Sequence, residues 1–270
     1  MDAKFERLSQ ILCEQDSLLV AFSAGVDSTF LLKAAHMALH DRVIALTTSS
    51  PSAPPWDLDA AKEFAVRLGC RHIVLESHEL ANPSYAQNPV NRCFFCKDEL
   101  YRICRAEADK FAIRTIVDGT NLDDLQDHRP GLKAADEWCV RHPLVEAEMT
   151  KEDIRRYSRE LDLPTWDKPS SPCLSSRFPY GTEINLEKLQ KVGACEVFMK
   201  ELRFREFRVR YHGDLARIEV AQSEIDRLFD KAIREAIVKK FKEIGFNYVS
   251  LDLQGFRSGS LNEALQKKAG

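Results

Sequence analysis

The chain has 270 residues, of which 44 % are hydrophobic and 30 % charged. That is material for one large domain or two modest ones, and it excludes wholesale disorder. Lys and Arg total 39 against 42 Asp and Glu, a net charge of -3, so a dedicated nucleic-acid binder is not expected. Apolar runs such as residues 18–22 fall far short of the roughly 20 residues that cross a bilayer. The N-terminal MDAKFERLSQ lacks a basic stretch followed by an apolar one. A cytoplasmic location without a membrane partner is therefore expected.

Residues 18–22 (LLVAF) predict a buried strand, followed by a helix over 28–40 and a second strand over 43–47. Asp57 is a suitable N-cap for a helix stopped by Gly69. Strands over 72–75 and 114–117 flank a helix over 93–110. Strand and helix in repetition predict an α/β domain with a parallel sheet covered on both faces. Thr150 with Asp153 resembles a capping box and opens a helix to about residue 161. Residues 164–179 hold four prolines and four serines and read as a boundary loop. Beyond it come a helix over 185–202, a hairpin, a helix over 222–244 and a strand over 246–253. The expected architecture is an N-terminal α/β domain over 1–176 and a smaller C-terminal α+β domain over 177–270.

Residues 18–28 (LLVAFSAGVDS) form an apolar strand, a small polar turn and a helix start. Ser23, Gly25 and Ser28 leave backbone N–H groups free where the helix dipole is positive, which suits a phosphate. Asp27 beside phosphates makes sense as a holder of a bridging metal ion. The chain has no Gly-Lys pair, so a Walker loop is excluded. An ordinary serine-capped turn is the plain alternative. Ala24 carries a Cβ that disfavours positive φ and close approach to pyrophosphate. Residues 118–121 (DGTN) follow an apolar strand and can approach a nucleotide, or form a bare turn; the same holds for Arg129 in HRPG. His128 and His142 show no ligand spacing.

Of eight cysteines, Cys13, Cys70, Cys104, Cys139 and Cys195 read as small core residues. Cys93 and Cys96 lie three apart, on one face of a helical turn, where they can share a cluster or zinc, act as a redox pair, or be plain helix cysteines. Cys173 sits in the Pro/Ser loop. A type II′ turn at Gly213–Asp214 pairs Arg208 with Glu219 and Arg210 with Arg217, all on one face. Opposed arginines repel, and an anion between them relieves this. The face is either an anion site or a solvated charged surface. Glu196 on its helix has exposure as its default.

The SAGVDS turn resembles the SGGxDS motif of the PP-loop ATP pyrophosphatases, with Ala24 in place of the second glycine. NPVNRCFFCKDELY (88–101), DGTNLDDLQDHRPGLKAA (118–135), KPSSPCLSSRFPYG (168–181) and RVRYHGDLARIE (208–219) extend the likeness over most of the chain. Together they are similar to the LarE family, ATP-dependent sulfur transferases of nickel-pincer nucleotide biosynthesis. That resemblance implies a PP-loop (adenine nucleotide alpha hydrolase-like) domain. It implies ATP contacts at Ala21, Ser23, Gly25, Asp27, Ser28, Thr47, Gly119 and Thr120, with Mg2+ on Asp27. Cys173 and Glu196 would be catalytic, and Arg208, Arg210, Glu219 and Arg257 would bind substrate. Cys173 matches the cysteine that one branch sacrifices as its sulfur source. Another branch carries the additional CxxC, and Cys93, Cys96 and Cys173 then resemble ligands of a 4Fe–4S cluster that passes on a sulfide. The implied reaction converts pyridinium-3,5-biscarboxylic acid mononucleotide to the bisthiocarboxylic acid, releasing AMP and pyrophosphate. The expected partners are this small mononucleotide, an unidentified sulfide donor and, in a homo-oligomer, further copies of the chain. The alternatives are a tRNA thiolase of the same superfamily, the sacrificial use of Cys173, and a nucleotide-binding module without chemistry.

Overall fold

The computed structural model describes residues 2–126, 130–169, 171–257 and 259–262; His128 and Arg129 lie outside the described residues. The chain divides into two compact units. The first runs to Tyr85 and resumes over Val90–Ser171; the second comprises Ala86–Pro89 and the chain from Pro172 onward.

The first unit begins with α1 (Ala3–Cys13), which turns Phe5, Leu8, Ile11 and Leu12 inward at helical spacing. Then follow β1 (Leu18–Ala21), α2 (Val26–Leu39), β2 (Val43–Ser49), α3 (Pro55–Leu68) and β3 (Arg71–Glu76). After the one-turn α4 (Pro83–Ala86) come α5 (Arg92–Lys110), β4 (Thr115–Asp118), α6 (Gly131–Glu137), α7 (Pro143–Glu146) and α8 (Lys151–Glu160). Among the described residues, the four strands pair in the order β3-β2-β1-β4, all parallel. Central β1 is buried throughout, as a strand covered on both faces must be. Leu18 and Val20 pack on one face with Phe5, Phe30 and Tyr157; Leu19 and Ala21 pack on the other with Tyr101, Cys104 and Ala108. Each large apolar side chain so buried contributes about 1.5–3 kcal/mol.

The strand order positions the site. The chain moves outward from β1 to β2 and β3, then crosses back to place β4 on the other side of β1. The strand order therefore reverses between β1 and β4, and the carboxyl ends of these two strands are where an open parallel sheet is expected to take a ligand. The SAGVDS and DGTN segments are the connections leaving those ends.

In the second unit, α9 (Leu186–Glu201) precedes a hairpin of β5 (Phe207–His212) and β6 (Leu215–Val220). Arg208 faces Glu219 and Arg210 faces Arg217, as the turn position predicts, with Gly213 at φ 65°. After α10 (Lys231–Ile244), β7 (Tyr248–Leu251) joins β6 in parallel. Val209, Ala216 and Ile218 are buried on one face of the hairpin.

Several local expectations are corrected. The helix expected from Asp57 starts at Pro55, because proline's fixed φ suits the first helical position; Asp57 lies in the first turn. The helix expected over 222–244 divides into a 3-10 stretch, Gln222–Phe229, and α10. Asp230 causes the break by accepting the N–H of Ile233 at 3.0 Å as an N-cap. Leu174–Arg177 adopts 3-10 geometry inside the Pro/Ser loop. Cys70, Cys104 and Cys195 are buried as expected, but Cys13 and Cys139 are exposed. Cys13 ends α1 off its apolar face, and Cys139 occupies a turn at φ 51°. Among the described residues no helix is long and apolar enough to cross a membrane.

Candidate active site

The turn after β1 presents backbone donors. Gly25 is the N-cap of α2 and supplies no side-chain cap, so the first N–H groups of the helix stay available. Ser28 Oγ accepts from Ser23 N at 3.3 Å and lies 3.0 Å from Ser23 Oγ, which joins the two ends of the turn. Ala24 adopts φ 54° despite its Cβ, so the alanine does not prevent the glycine-like bend. A lysine stabilises that bend: Lys168 Nζ donates to the Ala24 carbonyl at 3.0 Å and to Asp57 Oδ1 at 2.9 Å. Asp57 also accepts from Ser171 Oγ at 3.3 Å.

Asp27 points out of the same turn. Its carboxylate is ion-paired with Lys151 Nζ and accepts from Asn121 Nδ2 at 3.3 Å. One carboxylate beside a phosphate site matches how Mg2+ is held, by one or two carboxylates plus substrate phosphates. The DGTN connection approaches so closely that a Cβ on Gly119 would lie 2.8 Å from Ser28 N. Glycine is therefore required there.

Asp118 anchors this connection. It is 3 % exposed and accepts from Tyr101 Oη at 2.5 Å and Thr120 N at 3.0 Å; His142 Nδ1 lies 2.7 Å away and Lys97 Nζ 3.4 Å. Burial works to raise its pKa, but the charge of Lys97 and the bonds from His142 and Tyr101 hold the carboxyl well below the usual range. Burial pushes the Tyr101 hydroxyl up, which keeps it a donor. Ala21 pairs in register with both Leu46 and Asp118. The Thr47 hydroxyl donates to the Phe22 carbonyl at 2.7 Å and lies 2.8 Å from His72 Nε2.

Cys93 and Cys96 are the second and fifth residues of α5, exposed and half-buried respectively. Two thiolates at this spacing suit an iron–sulfur cluster chemically. Among the described residues, however, no group of three or more His, Cys, Asp and Glu side chains converges as a metal site. Cys173 belongs to the second unit, half-buried at the head of the 3-10 turn.

The charged side of the hairpin is buried, which corrects the alternative of a solvated face. Arg177 and Glu196 are each 1 % exposed and form a two-pronged pair, Nε–Oε1 and Nη2–Oε2, both 2.8 Å. Glu196 Oε1 also accepts from Val209 N at 3.0 Å, so exposure is not its state here. Arg177 Nη1 donates to the carbonyls of Pro172 at 2.9 Å and Cys173 at 3.2 Å. Arg210 grips Glu219 at 3.0 and 2.8 Å and donates to Ser176 O and Ser260 Oγ. Arg217 Nη2 reaches Glu219 Oε1 at 2.8 Å. The opposed arginines are thus bridged by a carboxylate of the chain itself. Arg208 stacks over Phe256 at 4.7 Å, and burial together with Arg177 brings its pKa down to about 10. Arg257 is half-buried in the irregular segment that follows β7.

Sequence reasoning missed Lys151, Lys168 and Arg177. A signal existed for Lys151: a cation at the first position of α8 opposes the helix dipole and calls for an anion nearby.

No family model matches the chain. It is 43 % identical to an uncharacterized protein of Synechocystis sp., over 99 % of this chain and all of that one. It is 35 % identical to the pyridinium-3,5-bisthiocarboxylic acid mononucleotide synthase of Lactiplantibacillus plantarum, over 92 % of this chain and 90 % of that enzyme. An uncharacterized protein of Methanocaldococcus jannaschii is 30 % identical over 89 % of this chain and 91 % of its own. With the SAGVDS and DGTN turns meeting beyond β1 and β4 and a likeness to the Lactiplantibacillus synthase over about nine-tenths of each chain, the chain belongs to the LarE family of pyridinium-3,5-bisthiocarboxylic acid mononucleotide synthases.

Proposed function

We propose that the chain is an ATP-dependent sulfur transferase that converts pyridinium-3,5-biscarboxylic acid mononucleotide to the bisthiocarboxylic acid. The observation that carries this is the 35 % identity, over nearly the whole chain, to an enzyme named for that product. The turns after β1 and β4 support it: α2 has no side-chain cap on the N–H groups at its start, and Gly119 lets the DGTN backbone pack directly against that start. In this reading the SAGVDS turn is a PP-loop. Ser23, Gly25 and Ser28 hold phosphates, Ala21, Thr47, Gly119 and Thr120 line the nucleotide, and Asp27 holds Mg2+.

A substrate carboxylate oxygen attacks the α-phosphorus of ATP. The bond to the β-phosphate oxygen breaks, and pyrophosphate leaves with the electron pair. Sulfide then adds to the carbonyl carbon of the acyl adenylate. AMP departs with its bonding pair, and a thiocarboxylate remains. Two such rounds give the bisthiocarboxylate. Preorganised cations stabilise the phosphate charge that develops.

Arg208, Arg210, Glu219 and Arg257 are assigned to the substrate. A buried guanidinium whose pKa is brought down by burial and neighbouring cations gains from an anion, which supports a phosphate or carboxylate near Arg208. Among the described residues four of the five N–H groups of Arg210 have partners in the chain, which leaves one donor there for substrate. Glu196 acts as a positioning residue: it holds Arg177, which holds the carbonyls on either side of the Pro172–Cys173 bond. Cys173 is assigned to the site of sulfur delivery, as a ligand of the group that carries the sulfide. Thiolates of Cys93, Cys96 and Cys173 are the donors for a 4Fe–4S cluster, which when bound supplies an iron without a protein ligand on which sulfide can be carried.

The test is anaerobic product analysis with ATP, the mononucleotide and sulfide. AMP, pyrophosphate and thiocarboxylate are expected. ADP with phosphate would overturn the reaction class. The same preparation should contain iron and sulfide that Cys93→Ala loses. Conversion of Cys173 to dehydroalanine, seen by mass, would replace the cluster with the sacrificial route.

A further inference from the structure

We infer that Lys151 is the pyrophosphate-binding cation of this enzyme, held on Asp27 until nucleotide arrives. The inference deepens the ATP reading above and rests on it. Its starting point is a shortage of charge. A triphosphate carries several negative charges, whereas the one ionised side chain within residues 23–28 is Asp27, itself an anion. A Walker loop supplies a lysine from within; here two lysines arrive from elsewhere in the first unit, Lys151 on Asp27 and Lys168 on Ala24 O.

The two differ in how they are held. Lys168 has two partners, a backbone carbonyl and Asp57, and its side chain is 23 % exposed. It is fixed in the fold and braces the positive-φ residue. The ammonium of Lys151 bonds Asp27 alone among the described residues, with its side chain 37 % exposed. Its backbone is fixed independently: Lys151 N donates to Asp123 Oδ2 at 2.8 Å, and the Thr150–Asp153 capping box sets the start of α8. The side chain can therefore move while its helix stays in place.

Asp27 is also the carboxylate to which Mg2+ is assigned. A carboxylate that turns to a metal releases its lysine beside the same phosphates. In the nucleotide-free enzyme the ion pair neutralises Asp27; with nucleotide present the ammonium meets the β- and γ-phosphate oxygens. When the Pα–O bond breaks, the electron pair goes to pyrophosphate, and a cation there favours the leaving group. Lysine suits this as a compact charge on a flexible stem.

The contact is to pyrophosphate and not to the α-phosphate, so different ligands separate this role from a structural one. ATP, inorganic pyrophosphate and AMP are titrated calorimetrically, with Mg2+, into the full chain and its Lys151→Ala and Lys151→Arg variants. Loss of one charge-assisted contact is expected to weaken ATP and pyrophosphate about 10- to 100-fold in Lys151→Ala. AMP affinity stays near that of the wild type, and Lys151→Arg recovers most of the loss. Unchanged ATP affinity in Lys151→Ala, or AMP weakened as far as ATP, overturns the inference. Failure of the wild-type chain to bind ATP and pyrophosphate overturns instead the nucleotide reading beneath it.

Discussion

Lys151 and Asp27 in the first unit have side chains 37 % and 21 % exposed; Arg177 and Glu196 in the second are 1 % exposed each. Both are single ion pairs, but their surroundings assign them different work. Water solvates the first pair, so its Coulomb energy is small and its partners can be exchanged. The second pair has lost its hydration, and its attraction and hydrogen bonds must offset that loss, so it cannot open without a large cost. In the proposed reaction nucleotide phosphates come and go with each turnover, which suits the exchangeable pair. The proposed role of Cys173 calls for a fixed backbone, and Arg177 bonds the carbonyls of Pro172 and Cys173.

The largest effect that would sharpen this contrast is on stability. Glu196→Ala leaves the buried Arg177 guanidinium without its partner and the Val209 N–H without its acceptor. Such a loss costs about 3–5 kcal/mol. Lys151→Ala removes a part-exposed pair and costs at most about 1 kcal/mol. Urea unfolding of both variants measures this directly. Similar losses in the two would break the comparison.

Arg210→Ala tests the same buried network by binding. If Arg210 serves substrate, the mononucleotide is weakened about 10- to 100-fold, as for one charge-assisted contact, while ATP affinity stays near wild type. Stability should fall less than in Glu196→Ala, because Arg217 still donates to Glu219 at 2.8 Å. Unchanged substrate affinity on calorimetric titration would leave Arg210 a purely structural partner of Glu219.

The chain makes its sheet legible and its ion pairs obscure, for one physical reason. Strand β1 and the first four residues of β2 are continuous apolar runs, β4 is centred on Ile116 and Val117, and a hairpin register follows from one glycine, so all depend on neighbours in sequence. The SAGVDS turn is readable too, but its bend at Ala24 is not, because the stabilising Lys168 lies 144 residues away. Lys151 and Asp27 are separated by 124 residues. Glu196 looks like any helical glutamate until the fold places Arg177 against it. Asp230 shows the opposite failure: the break before α10 is a local capping event hidden within a helical pattern.

The smallest expected effect concerns the start of α8, from which Lys151 projects. Asp153 accepts from Thr150 N at 3.1 Å and from Lys4 Nζ at 2.6 Å. Partial burial works to raise its pKa, but these donors lower it from 3.8 to about 2. A carboxyl with a lowered folded pKa stabilises the fold above its unfolded value, and that stabilisation is lost as pH falls through the folded one. The capping contribution of Asp153 is thus present above about pH 4 and fades toward pH 2. For a cap of this kind it is worth about 1 kcal/mol. Thermal unfolding of wild type and Asp153→Ala should differ by that amount at pH 6, and the difference should shrink as pH is lowered from 4 to 2. A constant difference over this range would mean that the hydrogen bonds of Asp153 do not depend on its charge. Lys151 would then stand on a helix start insensitive to acid, and its release from Asp27 would depend on the exposed ion pair alone.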